Sequence, residues 1–154
     1  MDTKPIGSFQ TDISGRRVLP SFSLAERDRR YAQVRKLMAE RNLDCLLAPA
    51  ADVGEPQANS RYLCQIGGVQ GGAWVVFPAS GEITAIVSSE REMRMWVANL
   101  IWPKDIRWGS FSQLVTDRIK ELGLARSRIG VTGMADQYRY SEGVILYESW
   151  RRIE

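Results

Sequence analysis

The chain has 154 residues, 44% hydrophobic and 25% charged, which fits one domain with one sizeable core. Its net charge of +3, from 21 basic and 18 acidic residues, is too small an excess to argue for nucleic acid, and no apolar run reaches the length of a membrane span. With no histidine and two cysteines, the chain can build neither a His-based triad nor a four-ligand zinc site from Cys45 and Cys64 alone.

Residues 1–22 mix Gly, Ser, Pro and charge without a period and read as an arm ahead of one domain at 23–154. They contain no apolar signal-peptide core, so the expected compartment is the cytoplasm, where both thiols stay reduced. Ser23 followed by Glu26 is a capping box and predicts a helix over 23–42. Leu24, Tyr31, Val34 and Met38 form its apolar stripe, with Leu37 at the margin. Arg27 lies beside the stripe, either snorkelling or pairing with another domain. The cluster Arg27, Arg29, Arg30, Arg35 and Lys36 is interleaved with Glu26, Asp28 and Glu40, as on a solvated helix face.

The continuously apolar run Cys45–Ala48 predicts a strand covered on both faces. Residues 50–60 read as a loop or short helical turn, and 61–66 as a second extended or buried segment. Residues 73–77 and 83–87, joined by the turn 78–81, predict a β-hairpin. The pair Ser89 and Glu92 opens a second helix, with Met93, Trp96, Val97 and Leu100 on one face and a stop at Trp102-Pro103. Residues 106–108 read as a strand. Ser110 and Gln113 mark a third capped helix, with Phe111, Leu114, Val115 and Leu122 inward and Gly123 as its stop. A strand at 129–132, a loop at 133–143 and a short edge strand at 144–146 follow. Tyr147, Trp150 and Ile153 then show helical spacing up to Glu154, an apolar face cut off in mid-course, as expected of a piece of a longer protein. Strands alternating with amphipathic helices predict an α/β fold, a mixed sheet with helices on both faces.

The residues offer little chemistry. Glu90, Glu92 and Asp105 are scattered and read as helix-start or turn carboxylates. The glycines at 67, 68, 71 and 72 match neither GxGxxG nor a P-loop, and a strand follows them where a phosphate site needs a helix N-terminus. Of the five Trp, Trp74, Trp96 and Trp108 read as core, with Trp102 and Trp150 as candidates for an interface.

The order of segments resembles the amino-terminal domain of the creatinase/prolidase family of pita-bread metallopeptidases, which includes Xaa-Pro aminopeptidases. The opening helix over 22–40 is followed by the step Asn42-Leu43-Asp44 into an apolar strand, then by Asn59-Ser60-Arg61-Tyr62-Leu63. Next come a hairpin from Val76-Phe77 through Gly81-Glu82 to Val87, a step into Arg128-Ile129-Gly130-Val131, and the step 142–147 into a last helix. The resemblance covers 22–154. It implies a ribonuclease-H-like topology and a carboxy-terminal catalytic domain, absent from this chain, that holds Mn, Co or Zn with two Asp, one His and two Glu. It implies no cofactor, metal or catalytic residue within this chain. The implied role is to wall the active-site cleft against a peptide or small-molecule substrate and to help form a homodimer; relatives with creatinase-type or lyase chemistry share the fold. Where many relatives continue Thr-Gly-Phe after Tyr-Leu, this chain has Cys64-Gln65-Ile66-Gly67, which leaves substrate preference open. Arg61, Tyr62 and Gln65 are the candidate substrate-binding residues on that wall. The alternative for the same residues is a core role for Tyr62 and Leu63 and a surface ion pair for Arg61. A free-standing binding module is the alternative for the chain.

Overall fold

The computed structural model describes residues 10–11, 17–18, 22–50, 58–67, 71–134 and 147–153. Two short strands, β1 (Gln10–Thr11) and β2 (Arg17–Val18), pair antiparallel. Helix α1 spans Leu24–Glu40 and begins as the capping box requires, with the Glu26 amide donating to Ser23 Oγ at 3.2 Å. It ends two residues short of the expected boundary, because Asn42 turns left-handed at φ 52°, a conformation Asn tolerates. Tyr31 and Met38 are buried as the stripe predicts, but Leu24 and Leu37 are exposed.

Strand β3 (Cys45–Ala48) leads to helix α2 (Ala58–Cys64), then to β4 (Trp74–Pro78) and β5 (Thr84–Val87). Of the extended or buried segment expected at 61–66, the extended form is corrected, because its first four residues are the end of a helix, while Leu63, Cys64 and Ile66 are buried. The burial of Ser60, Leu63 and Cys64, spaced i, i+3, i+4, is the helical signal that the short apolar run Tyr62-Leu63-Cys64 concealed. Helix α3 (Glu90–Asn99) is capped by Ser89, whose Oγ accepts from the Glu92 amide at 3.3 Å. The Glu92 carboxylate reaches back to the amide and hydroxyl of Ser88. Met93, Trp96 and Leu100 pack inward, whereas Val97 is 57% exposed and leaves the expected face. Strand β6 (Asp105–Trp108) and helix α4 (Phe111–Glu121) follow. Ser110 makes no side-chain cap to α4; its hydroxyl lies 3.5 Å from Ser112 Oγ instead. Gly123 ends the helix at φ +72° as expected. Strand β7 (Ile129–Val131) and helix α5 (Tyr147–Ile153) complete the order, and the expected strand at 144–146 lies outside the described residues.

The main sheet has the order β6-β5-β4-β3-β7, with β4 antiparallel to both neighbours and the outer pairs β5–β6 and β3–β7 parallel. The period of two along each strand sorts the core into two layers. Val75, Phe77, Ala48, Ala85 and Val87 face one layer with Tyr31, Met38, Leu63 and Trp96. Cys45, Leu47, Trp74, Val76 and Ile86 face the other with Val115, Ile119 and the partly buried Ile153. Helices α1, α2 and α3 therefore cover one face, and α4 and α5 the other. All of β4 is buried, as the apolar run required.

The tryptophan assignment changes. Trp102 is fully buried, while Trp108 on the edge strand is 49% exposed. Asp105 is no turn carboxylate: it accepts from Thr84 Oγ1 at 2.7 Å and pairs with Arg107 at 3.0 Å. Arg107 also reaches Glu121 Oε2 at 2.8 Å, which ties β6 to α4.

Candidate functional site

The three candidate residues cluster at the end of α2. Arg61 and Tyr62 are both exposed on the outer side of the helix, and Gln65 is the first residue beyond it. The helix is anchored through Ser60, Leu63 and Cys64, so its opposite side is left to water. Tyr62 is therefore no core residue, although its neighbour Leu63 is.

The last carbonyls of a helix have no partner within it. In α2, two of them are capped from α1 by consecutive residues. Arg30 Nη1 donates to the Tyr62 carbonyl at 3.1 Å, and the Tyr31 hydroxyl donates to the Leu63 carbonyl at 2.9 Å. Burial pushes the Tyr31 phenol well above its ordinary pKa, so it stays a donor. Gln65 follows in a left-handed conformation at φ 63°, with its amide bonded to the Arg61 carbonyl at 2.9 Å. That backbone disfavours a non-glycine residue by about 1–2 kcal/mol. The side chain offsets part of this, because Gln65 Oε1 accepts from the Phe22 amide at 2.8 Å. Gln65 Nε2 is buried and has no hydrogen-bond partner.

Arg30 sits at the centre of this arrangement. Its guanidinium lies over three rings, at 4.4 Å from the centroid of Phe22, 4.6 Å from Tyr62 and 5.2 Å from Trp102. Trp102 Nε1 donates to the Phe22 carbonyl at 2.8 Å, which fixes one wall of the box. Glu26 accepts from Arg30 Nε at 2.8 Å, and hydrogen bonds from Arg29 and then Arg30 hold its carboxyl down to about 2. Arg35 lies over Phe77 and Tyr31 and donates to the carbonyls of Pro78 and Gly81 in the hairpin turn. Arg27 pairs with Asp28 within its own helix, at 2.7 Å, and lies near the Tyr31 ring. The early basic cluster is thus corrected: Arg30 and Arg35 are packing residues laid on aromatic faces and not part of a solvated face. Sequence reasoning missed Phe22, Arg30 and Trp102: the first two lie close together at the start of α1, but Trp102 joins them only through the turn after α3.

No three His, Cys, Asp or Glu side chains converge to hold a metal ion among the described residues. The carboxylates near the site are engaged, Glu26 with two arginines and Glu82 with Lys104. The donor set a divalent ion needs is therefore not assembled here, and the chemistry these residues offer is binding by an exposed cation and an exposed aromatic ring.

A model of the creatinase/prolidase N-terminal domain matches residues 30–144. The chain belongs to that family. No curated protein matches its sequence closely enough to be reported as a relative. Among solved structures, an Xaa-Pro aminopeptidase from Streptococcus pyogenes superposes with a TM-score of 0.60 at 17% identity, covering 86% of this chain and 85% of that one. An Xaa-Pro dipeptidase from Bacillus anthracis superposes with a TM-score of 0.56 at 15% identity, covering 82% of this chain but 30% of that one. At these identities the likeness is one of fold. Within the family match, several motif residues have structural work. The Asp44 carboxylate accepts from the Arg128 amide at 2.9 Å and locks β3 to the start of β7. Gly130 passes so close to Leu43 that a Cβ there would lie 2.7 Å from Leu43 Cδ1.

Proposed function

We propose that this chain is the non-catalytic amino-terminal domain of an Xaa-Pro-peptidase-like hydrolase, shaping the active-site cleft and contributing to a homodimer. The observation that carries this reading is the family match over residues 30–144. Catalysis, with Mn, Co or Zn, belongs in this reading to a carboxy-terminal domain. The outer side of α2 is the cleft wall: Arg61 contributes a cation and Tyr62 an aromatic face, suited to a peptide's carboxylate and side chains, while Gln65 shapes the turn that ends the helix. Two buried free thiols fit a reducing compartment such as the cytoplasm. No helix among the described residues is long and apolar enough to cross a membrane.

The 154-residue chain with Mn²⁺ and Xaa-Pro dipeptides is expected to show no turnover, and turnover by this chain would overturn the proposal. In a hydrolase carrying both domains, Arg61→Ala and Tyr62→Ala should each raise KM by about three- to tenfold and leave kcat within about twofold, the pattern of lost uniform binding. A second reading is a free-standing binding module. Coding sequence beyond Glu154 that contains His and paired carboxylate motifs decides for the first reading.

A further inference from the structure

We infer that Arg30 is the positioning residue of the α2 wall, holding the exposed Tyr62 ring and the left-handed Gln65 backbone in the arrangement a ligand would meet. The inference rests on the reading of α2 as a cleft wall and adds to it the residue that sets the wall's shape. Helix α2 has seven residues, too few to hold its own last turn against fraying. Its inward residues fix where the helix lies on the sheet, but they do not reach Tyr62, which points outward.

Two contacts to Tyr62 come from one side chain: Arg30 bonds its carbonyl and stacks on its ring. The same guanidinium stacks on Phe22, whose amide holds Gln65 Oε1. Arg30 therefore touches both ends of the Tyr62–Gln65 turn, one directly and one through Phe22. Its side chain is only 11% exposed, and Glu26 fixes the guanidinium by its Nε, leaving the Nη groups for the carbonyl. A lysine could keep the charge, but it has neither the planar face nor the fork that makes both contacts at once. Arg30 itself is turned away from solvent, so it acts through Tyr62 and Gln65 and does not contact the ligand.

Amide exchange in the 154-residue chain tests this directly. In Arg30→Ala, exchange at the Gln65 amide should rise about tenfold and the Tyr62 ring resonances should shift, with exchange at Val76 unchanged. Arg30→Lys should restore less than half of the change, and it carries the test should the alanine variant not fold. Unchanged Gln65 and Tyr62 signals would overturn the inference. So would an equal acceleration at Val76, which would mean that Arg30 serves global stability alone. In a hydrolase carrying both domains, Arg30→Ala should raise KM about as much as Tyr62→Ala, and the double variant no more than either single change. A KM raised by Tyr62→Ala but not by Arg30→Ala would also overturn it. If neither substitution moves KM, the cleft reading fails, and the exchange result alone decides the role of Arg30.

Discussion

The two cysteines sit in opposite layers of the core, Cys45 on β3 and Cys64 at the end of α2, and neither is accessible. Burial pushes the Cys45 thiol up to about 11 and the Cys64 thiol up to about 12, so neither forms a thiolate at neutral pH. Native protein at pH 8 should therefore react with a thiol reagent at least about tenfold more slowly than urea-unfolded protein. Rapid labelling of either residue in the native state would contradict the burial. Gly123 makes a second prediction at this scale. Nothing lies within 4 Å of a Cβ built there, so the cost of Gly123→Ala comes from its φ of +72° alone. That substitution should destabilise the chain by about 1 kcal/mol in urea unfolding, with no change in the slope.

At the scale of elements, α1 is what holds the site together. Its hydrophobic stripe packs Tyr31 edge-on against Phe77, with ring centroids 5.1 Å apart, while its arginines reach α2 and the hairpin turn. Tyr31→Phe keeps this packing and removes only the hydroxyl on the Leu63 carbonyl, so it should cost about 1–2 kcal/mol. The ion pairs of Glu26 tie α1 to itself and, through Arg30, to α2. Its carboxyl titrates at about 2 in the fold, below its ordinary value of 4.5. A depressed folded value means that the stabilisation is complete above about pH 4.5 and is lost as the pH falls towards 2. Glu26→Gln should flatten that part of the acid dependence of the urea midpoint. An identical profile in the variant would exclude the coupling. Glu121, held down to about 2 by Arg107 and then Arg118, continues to contribute the same sign.

Across the whole molecule, stability concentrates in β4, the central strand, which has neighbours on both edges and a packed layer on each face. Phe77 is fully buried, and Phe77→Ala should cost about 3–5 kcal/mol. Hydrogen exchange should be slowest at Val75, Val76 and Phe77 and faster along Tyr147–Ile153, which rests on one layer only. Finding Tyr147–Ile153 among the best-protected amides would reverse that order.

Local chemistry made much of this architecture legible in the sequence. Ser23 and Ser89 announce their helices, because a cap and its partner lie within one turn. The strands at 45–48 and 74–78 announce themselves by continuous apolarity, because both faces are covered. The order of segments was enough to point to the family. Tertiary structure alone decided the rest. Trp102 is buried and Trp108 exposed because one turn folds back onto Phe22 and the other residue lies on the edge strand. The arginines of α1 look solvated in sequence because their aromatic partners are as many as 72 positions away, as with Arg30 and Trp102. Exposed Arg61 and Tyr62 could be named as candidates from a motif, but their placement on one short helix, held by Arg30, depends on contacts between segments that no local pattern encodes.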